Sequence, residues 1–95
     1  MSNPCILIVE DEVQLARFIA LELESEGYQV SVAHDGMSGL MLAREVTPDL
    51  ALLDWMLPGL SGIELCRRLR STGFKAPIIF LTAKDEVGDR VAGLD

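Results

Sequence analysis

The sequence predicts one α/β domain, residues 1–95, built on a doubly wound parallel sheet. Short uninterrupted apolar runs alternate four times with segments whose apolar residues recur at helical spacing. Such alternation is typical of parallel strands joined by right-handed helical crossovers, with helices on both faces of the sheet. The chain has 95 residues, of which 49% are apolar, so it can form one small hydrophobic core.

The first half of the chain supplies two strand–helix units. The run Cys5–Val9 is apolar throughout, as a strand buried on both faces requires. A helix is predicted from Asp11 to Glu26, with an apolar stripe formed by Leu15, Ala16, Ile19, Ala20 and Leu23. The segment Tyr28–Ala33 alternates like a strand with one more exposed side. A second helix, Met37–Val46, is expected to end before Pro48, because proline disfavours helical backbone in the preceding residue.

The second half adds two more units: the strand Leu50–Leu53, the helix Ser61–Arg70, the strand Pro77–Leu81 and a helix beginning at Asp85 with Val87, Val91 and Leu94 as its stripe. Ser61 and Glu64 form a capping-box pattern at the start of the third helix. The last helix has no stop signal before the sequence ends, which favours a C-terminally truncated domain.

Charge and composition exclude several classes of protein. The net charge of −7 argues against direct nucleic-acid binding. No apolar run is long enough to span a membrane, and no basic region precedes the first apolar stretch, so we expect a cytoplasmic protein without membrane contact. Cys5 and Cys66 lack metal-ligand spacing and are expected to be reduced thiols, with a disulfide between them as the alternative.

Chemically informative residues follow three of the predicted strands. Glu10 and Asp11 follow the first strand, Asp54 ends the third and Thr82 follows the fourth. Ligands of open α/β sheets bind at the carboxyl ends of the strands. If the first and third strands are neighbours, the carboxylates converge and repel by roughly 4 kcal/mol per pair, which a Mg²⁺ ion relieves. An aspartate beside Mg²⁺ can attack a phosphoryl donor, and Thr82 can donate its hydroxyl to a phosphate oxygen.

Simpler interpretations exist for the same residues. Acidic residues are common in the first turn of a helix, where they favour the helix dipole, and Asp54 alone could cap the loop after its strand. His34 has no ligand partner in the sequence and is interpreted as a loop or surface residue. Lys84 is interpreted as a solvated loop residue, with tuning of the site as the alternative.

Three motifs resemble the receiver domains of two-component response regulators: "ILIVEDE", "LALLDWMLPGLSG" and "PIIFLTAKDEVGDRVAGLD". The second and third motifs are similar in sequence to those of the OmpR/PhoB branch of transcriptional regulators. The resemblance covers the whole chain. It implies a flavodoxin-like fold with strand order 2-1-3-4-5, of which this chain would hold 2-1-3-4 and lack the fifth strand and fifth helix.

The resemblance also implies roles for individual residues. It makes Mg²⁺ the cofactor and a sensor histidine kinase the phosphoryl donor, with DNA contacted only through an output domain absent from this chain. It implies a phosphoacceptor with self-phosphorylation and autodephosphorylation, not an enzyme acting on other substrates. The matching positions are Asp54 as the phosphoacceptor, Glu10, Asp11, Asp54 and the carbonyl of Met56 as metal ligands, Thr82 as the switch hydroxyl, and Ala83 as a backbone N–H donor to the phosphate.

One departure and two alternatives accompany this interpretation. The family lysine ends a fifth strand, whereas Lys84 follows the fourth, so phosphorylation without that lysine is in question. A Mg²⁺-dependent phosphatase is disfavoured because Met56 stands where such enzymes carry a second aspartate. A nucleotide- or flavin-binding domain is disfavoured because no glycine-rich phosphate loop follows the first strand. A truncated receiver could instead associate, since "APIIFLTA" as an exposed edge strand predicts a dimer or higher oligomer through the fourth-strand region.

Overall fold

The chain folds into one parallel sheet flanked by helices on both faces. A computed structural model describes residues 3–81. Its elements are β1 (Cys5–Val9), α1 (Val13–Ser25), β2 (Gln29–Ala33), α2 (Gly36–Val46), β3 (Leu50–Asp54), α3 (Gly62–Ser71) and β4 (Ile78–Leu81). The strands are parallel in the order β2-β1-β3-β4, which confirms the predicted fold class and order. The predicted helix from Asp85 lies outside the described residues.

The sheet separates two apolar layers, and the side chains of β1 alternate between them. Ile6 and Ile8 pack in the layer of α1, whereas Leu7 and Val9 pack in the layer of α2 and α3. All four side chains are buried. Burial on both faces explains why this strand is apolar without interruption. Asp49, just before β3, accepts a hydrogen bond from the Cys5 N–H at 2.8 Å and so ties the starts of β1 and β3 together.

Helix α1 begins at Val13, two residues later than predicted. Asp11 lies in a bend and Glu12 is the N-cap. The Glu12 N–H donates to Oε2 of Glu10 at 2.8 Å, so the acidic run forms a turn before the helix. Its carboxylates therefore stay at the edge of the sheet. The other described boundaries lie within one residue of those predicted.

The predicted capping box of α3 is half formed. The Ser61 hydroxyl accepts a hydrogen bond from the Glu64 N–H at 3.1 Å. The Glu64 carboxylate does not reach back to Ser61 but pairs with Arg67 at 2.9 Å and Arg68 at 3.3 Å. Both cysteines are free thiols, as expected. None of the described helices is long and apolar enough to cross a membrane.

Candidate metal and phosphoacceptor site

Three carboxylates meet at the carboxyl ends of β1 and β3. Glu10 and Asp11 directly follow β1, and Asp54 is the last residue of β3. The two strands are neighbours in register, with Val9 opposite Leu53. Each of the three residues offers a carboxylate oxygen, and these oxygens lie within 4.8 Å of one another. The convergence expected from the sequence is therefore present in the fold.

Glu10 is a buried carboxyl group with an altered acidity. Glu10 is only 3% exposed, whereas Asp11 is exposed. Burial is the largest cause that raises the pKa of Glu10, and the Glu12 N–H opposes it. With the neighbouring Asp54 and Asp11 also raising it, the net pKa is about 7. Because metal ligands must be deprotonated, a cation bound in this pocket would lower this pKa.

Asp54 is equally buried and carries an unsatisfied oxygen. The residue is 3% exposed, and its Oδ1 has no hydrogen-bond partner among the residues that the structure describes. Burial raises the pKa of Asp54, and Asp11 adds to this, while the N–H of Met56 donates to the carboxylate and lowers it. This unpaired oxygen and the carboxylates of Glu10 and Asp11 together form a set of oxygen ligands that fits a hard divalent cation.

The remaining predicted site residues are placed only in part. The Met56 N–H binds Asp54 and its side chain is exposed, but the role of its carbonyl as a metal ligand stays a prediction. Thr82, Ala83 and Lys84 lie outside the described residues, so their roles also stay predictions.

Gly62 is a site residue that the sequence interpretation missed. An added Cβ on Gly62 would overlap the backbone carbonyl oxygen of Asp54. The Gly62 N–H donates to the carbonyl of Trp55 at 3.1 Å. Only glycine lets the first turn of α3 approach the end of β3 this closely. The sequence did contain one signal for this role. Gly62 directly follows the N-cap Ser61, a position where other residue types form a helix at least as well, so a glycine there indicates a close approach.

His34 contacts the backbone of the site, which the sequence interpretation also missed. The residue is exposed, as expected for a loop position, and follows β2. Its Nδ1 lies 2.9 Å from the carbonyl oxygen of Glu10. Because a carbonyl only accepts, Nδ1 carries the proton in this contact. The pairing of β1 with β2 creates this contact, and no local sequence pattern reports it.

A parallel sheet of order 2-1-3-4 with an acidic pocket at the carboxyl ends of its strands is the arrangement of a receiver-type α/β domain. The family profile described as "Response regulator receiver domain" matches residues 6–95. The chain belongs to this family.

Two curated relatives show the same similarity over nearly the whole chain. The uncharacterized transcriptional regulatory protein YkoG of Bacillus subtilis is 57% identical over 95 residues, covering 100% of this chain and 42% of YkoG. The response regulator ArlR of Staphylococcus saprophyticus is 56% identical over 90 residues, covering 95% of this chain and 40% of ArlR. The chain thus spans about two fifths of the length of these relatives.

Solved structures agree with the fold. The receiver domain of the Francisella response regulator 1452 has a TM-score of 0.81 at 36% identity, covering 97% of this chain and 76% of that one. A putative response regulator from Chloroflexus aurantiacus gives 0.83 at 33% identity, covering 98% and 78%. The response regulator TrrA from Thermotoga maritima, solved in complex with Mg²⁺–BeF, gives 0.79 at 33% identity, covering 90% and 76%.

Membership of the family settles the general kind of function. Receiver domains are phosphoacceptors of two-component signalling, they bind Mg²⁺ at an acidic pocket, and response regulators work with sensor histidine kinases. The acidic group of Glu10, Asp11 and Asp54 is a pocket of that kind.

Proposed function

We propose that Asp54 accepts a phosphoryl group from a sensor histidine kinase in the cytoplasm. The observation that carries this proposal is the unpaired, buried Oδ1 of Asp54 beside two further carboxylates. A structural carboxylate in this position would be expected to have a hydrogen-bond donor on both oxygens. An oxygen kept without one is available for attack on a phosphoryl donor.

The acidic pair has a separate task in this proposal. Glu10, Asp11, Asp54 and the carbonyl of Met56 would hold Mg²⁺, and the bound ion would neutralise charge on a phosphoryl group. The Met56 N–H holds the Asp54 carboxylate in place. His34 fixes the carbonyl of Glu10 and thereby the turn that positions the acidic pair.

The transfer itself is a single displacement at phosphorus. A carboxylate oxygen of Asp54 forms a bond to phosphorus as the bond from phosphorus to the kinase histidine nitrogen breaks, and that nitrogen keeps the electron pair. Thr82 and the N–H of Ala83 hold phosphoryl oxygens after transfer. By analogy with YkoG, a transcriptional regulatory protein, we propose that the modified domain acts on transcription through a DNA-binding output domain.

Trp55 provides the direct test of this pocket. It is the one tryptophan in the chain, it adjoins Asp54, and its ring meets Phe80 edge-on at 5.0 Å between centroids. We expect a saturable change in its fluorescence on adding Mg²⁺ and a second change on adding beryllofluoride, a phosphoryl mimic. Circular dichroism on the same sample reports folding. A folded protein without a Mg²⁺ response would contradict the metal site.

A pair of matched variants separates the acceptor from general charge effects. Asp54→Asn should abolish the beryllofluoride response and the labelling by a phosphorylated histidine kinase. Asp35→Asn removes one carboxylate outside the pocket while keeping a good N-cap for Ser38, so both responses should survive. Continued single-site labelling of Asp54→Asn would overturn the assignment of the acceptor.

A further inference from the structure

A second concave site lies at the end of the sheet opposite the acidic pocket. The loops that lead into β3 and β4 close a groove of about 290 Å³. These loops precede their strands, whereas the acidic pocket follows β1 and β3, so the two sites face opposite edges of the sheet. The floor of the groove is apolar, with buried Ala43 and Leu69 and half-buried Phe74. Its volume is near the lower end of the range for small-molecule sites, which begins at about 300 Å³.

Two uncompensated cations line this groove. Arg44 comes from the last turn of α2 and Lys75 from the loop before β4. Both are exposed, and neither forms a hydrogen bond or an ion pair with any residue that the structure describes. No acidic residue within 3–81 lines the groove. In a chain of net charge −7, this is a local reversal of charge.

The arginines of α3 differ from these two because their charges have partners. Arg67 and Arg68 pair with Glu64 at 2.9 and 3.3 Å. Nη1 of Arg70 donates to the carbonyls of Phe74 at 2.9 Å and Ala76 at 2.8 Å. Within residues 3–81, three cations have no hydrogen bond or ion pair: Arg17 lies on the exposed surface of α1, and the other two, Arg44 and Lys75, lie together at the groove.

The contacts of Arg70 also give the groove a fixed shape. By bridging two carbonyls, Arg70 holds the loop Phe74–Ala76 against the end of α3. Its guanidinium also lies 5.8 Å from the centre of the Phe74 ring. A site held open in advance loses less conformational entropy when a ligand binds.

We propose that this groove binds a small organic anion with an apolar body. The anionic head contacts Arg44 and Lys75, and the apolar part covers Ala43, Leu69 and Phe74. Two cations above an apolar floor complement such a ligand, whereas a cation would be repelled and a bare inorganic anion would leave the floor uncovered. The proposal is independent of phosphorylation, because it uses no residue of the acidic pocket.

An NMR titration of the ¹⁵N-labelled full chain tests the site with four defined probes: octanoate, octylammonium, octanol and acetate. We expect octanoate to shift the amides of residues 43–47 and 72–76 in a saturable way. Octanoate should bind about five-fold or more tightly than the other three probes, since they lack the anion or the apolar body. Equal binding of octylammonium would overturn the proposal. So would octanoate shifts centred on exposed Phe18 and Leu21 of α1, which would show only general apolar adsorption.

Charge-neutralising variants give a second, independent readout. The double variant Arg44→Gln/Lys75→Gln should weaken octanoate binding by about five-fold or more. The control Arg67→Gln removes a charge of the same kind outside the groove and should leave the affinity unchanged. Circular dichroism checks the fold of each variant. Equal octanoate affinity in the double variant and in the wild type would overturn the assignment of the two cations.

Discussion

Glu10 links the stability of the fold to pH. Its pKa is raised to about 7 in the fold from its ordinary value of 4.5. Between these values the folded state keeps a proton that the unfolded state has released, so stability is lost as pH rises. In metal-free buffer we expect this group to lower the free energy of unfolding by about 1–2 kcal/mol between pH 4.5 and 7, allowing for solvent screening at the open sheet edge. Urea denaturation at stepped pH measures the change.

Two glutamine variants isolate the contribution of Glu10. Glu10→Gln should lose this part of the pH dependence, whereas Glu24→Gln, at an exposed position of α1, should retain it. Saturating Mg²⁺ should stabilise the wild type more at pH 8 than at pH 5, because cation binding requires ionised carboxylates. An unchanged pH profile in Glu10→Gln would show that other groups cause the decline.

At the level of residues, the sequence predicted the acidic group but not its backbone supports. Glu10, Asp11 and Asp54 could be predicted from the sequence, because each stands at the end of an apolar run and parallel strands end at one edge of a sheet. His34 and Gly62 could not be predicted in the same way. Their roles depend on which backbone atoms of distant segments come near them, and that follows only from the assembled sheet.

The approach of α3 to β3 depends on Gly62. Because an added Cβ would overlap the Asp54 carbonyl, Gly62→Ala must displace the start of the helix or the end of the strand. We expect a loss of about 2 kcal/mol in the free energy of unfolding, as is typical of overpacking. Mg²⁺ affinity should fall as well, since Asp54 moves with its backbone. Urea denaturation and the Trp55 titration measure the two effects.

Gly27→Ala is the control for this substitution. Gly27 has φ +96° and no atom within 4 Å of an added Cβ, so alanine there adds backbone strain without a collision. It should cost about 1 kcal/mol and leave Mg²⁺ affinity unchanged. Equal Mg²⁺ affinities in Gly62→Ala and Gly27→Ala would contradict the role assigned to Gly62.

The end of α2 carries backbone strain that substitution can relieve. Thr47, the C-cap, has φ +41°, and no other non-glycine residue within 3–81 has a positive φ. Left-handed backbone costs an L-residue about 1–2 kcal/mol, so Thr47→Gly should stabilise the protein by about 0.5–1 kcal/mol. Thr72, the C-cap of α3, has φ −93° and no such strain. Thr72→Gly should therefore destabilise, and thermal denaturation of both variants measures the difference in sign.

The boundaries of the elements show where local signals are sufficient. Ser61 begins α3 as its pattern predicted, because a cap is a local hydrogen bond. The start of α1 was wrong by two residues, because acidic residues suit both a first helical turn and the turn that delivers carboxylates to a site. The Glu10 carboxylate accepts a hydrogen bond from the Glu12 N–H, and this bond stabilises the turn rather than a first helical turn.

For the molecule as a whole, periodicity was sufficient to predict the class of fold, but the resemblance was needed for the strand order. Short apolar runs and helical stripes define an α/β fold whose first strand is buried on both faces of the sheet. They do not state which strands are neighbours. The order β2-β1-β3-β4 followed from family motifs and is now present in the fold.

Self-association through the fourth strand stays a prediction, and the fold locates a test of it. Ile79 of β4 is 51% exposed and is paired in register with Leu52, which packs in the layer of α1. If this apolar face mediates association, sedimentation velocity should show concentration-dependent dimers or larger species. Ile79→Lys should shift the protein to monomer with little loss of stability, because the residue is exposed. Phe18→Lys, at a 61% exposed position on α1, should not. A wild-type protein that stays monomeric at high concentration would contradict the prediction.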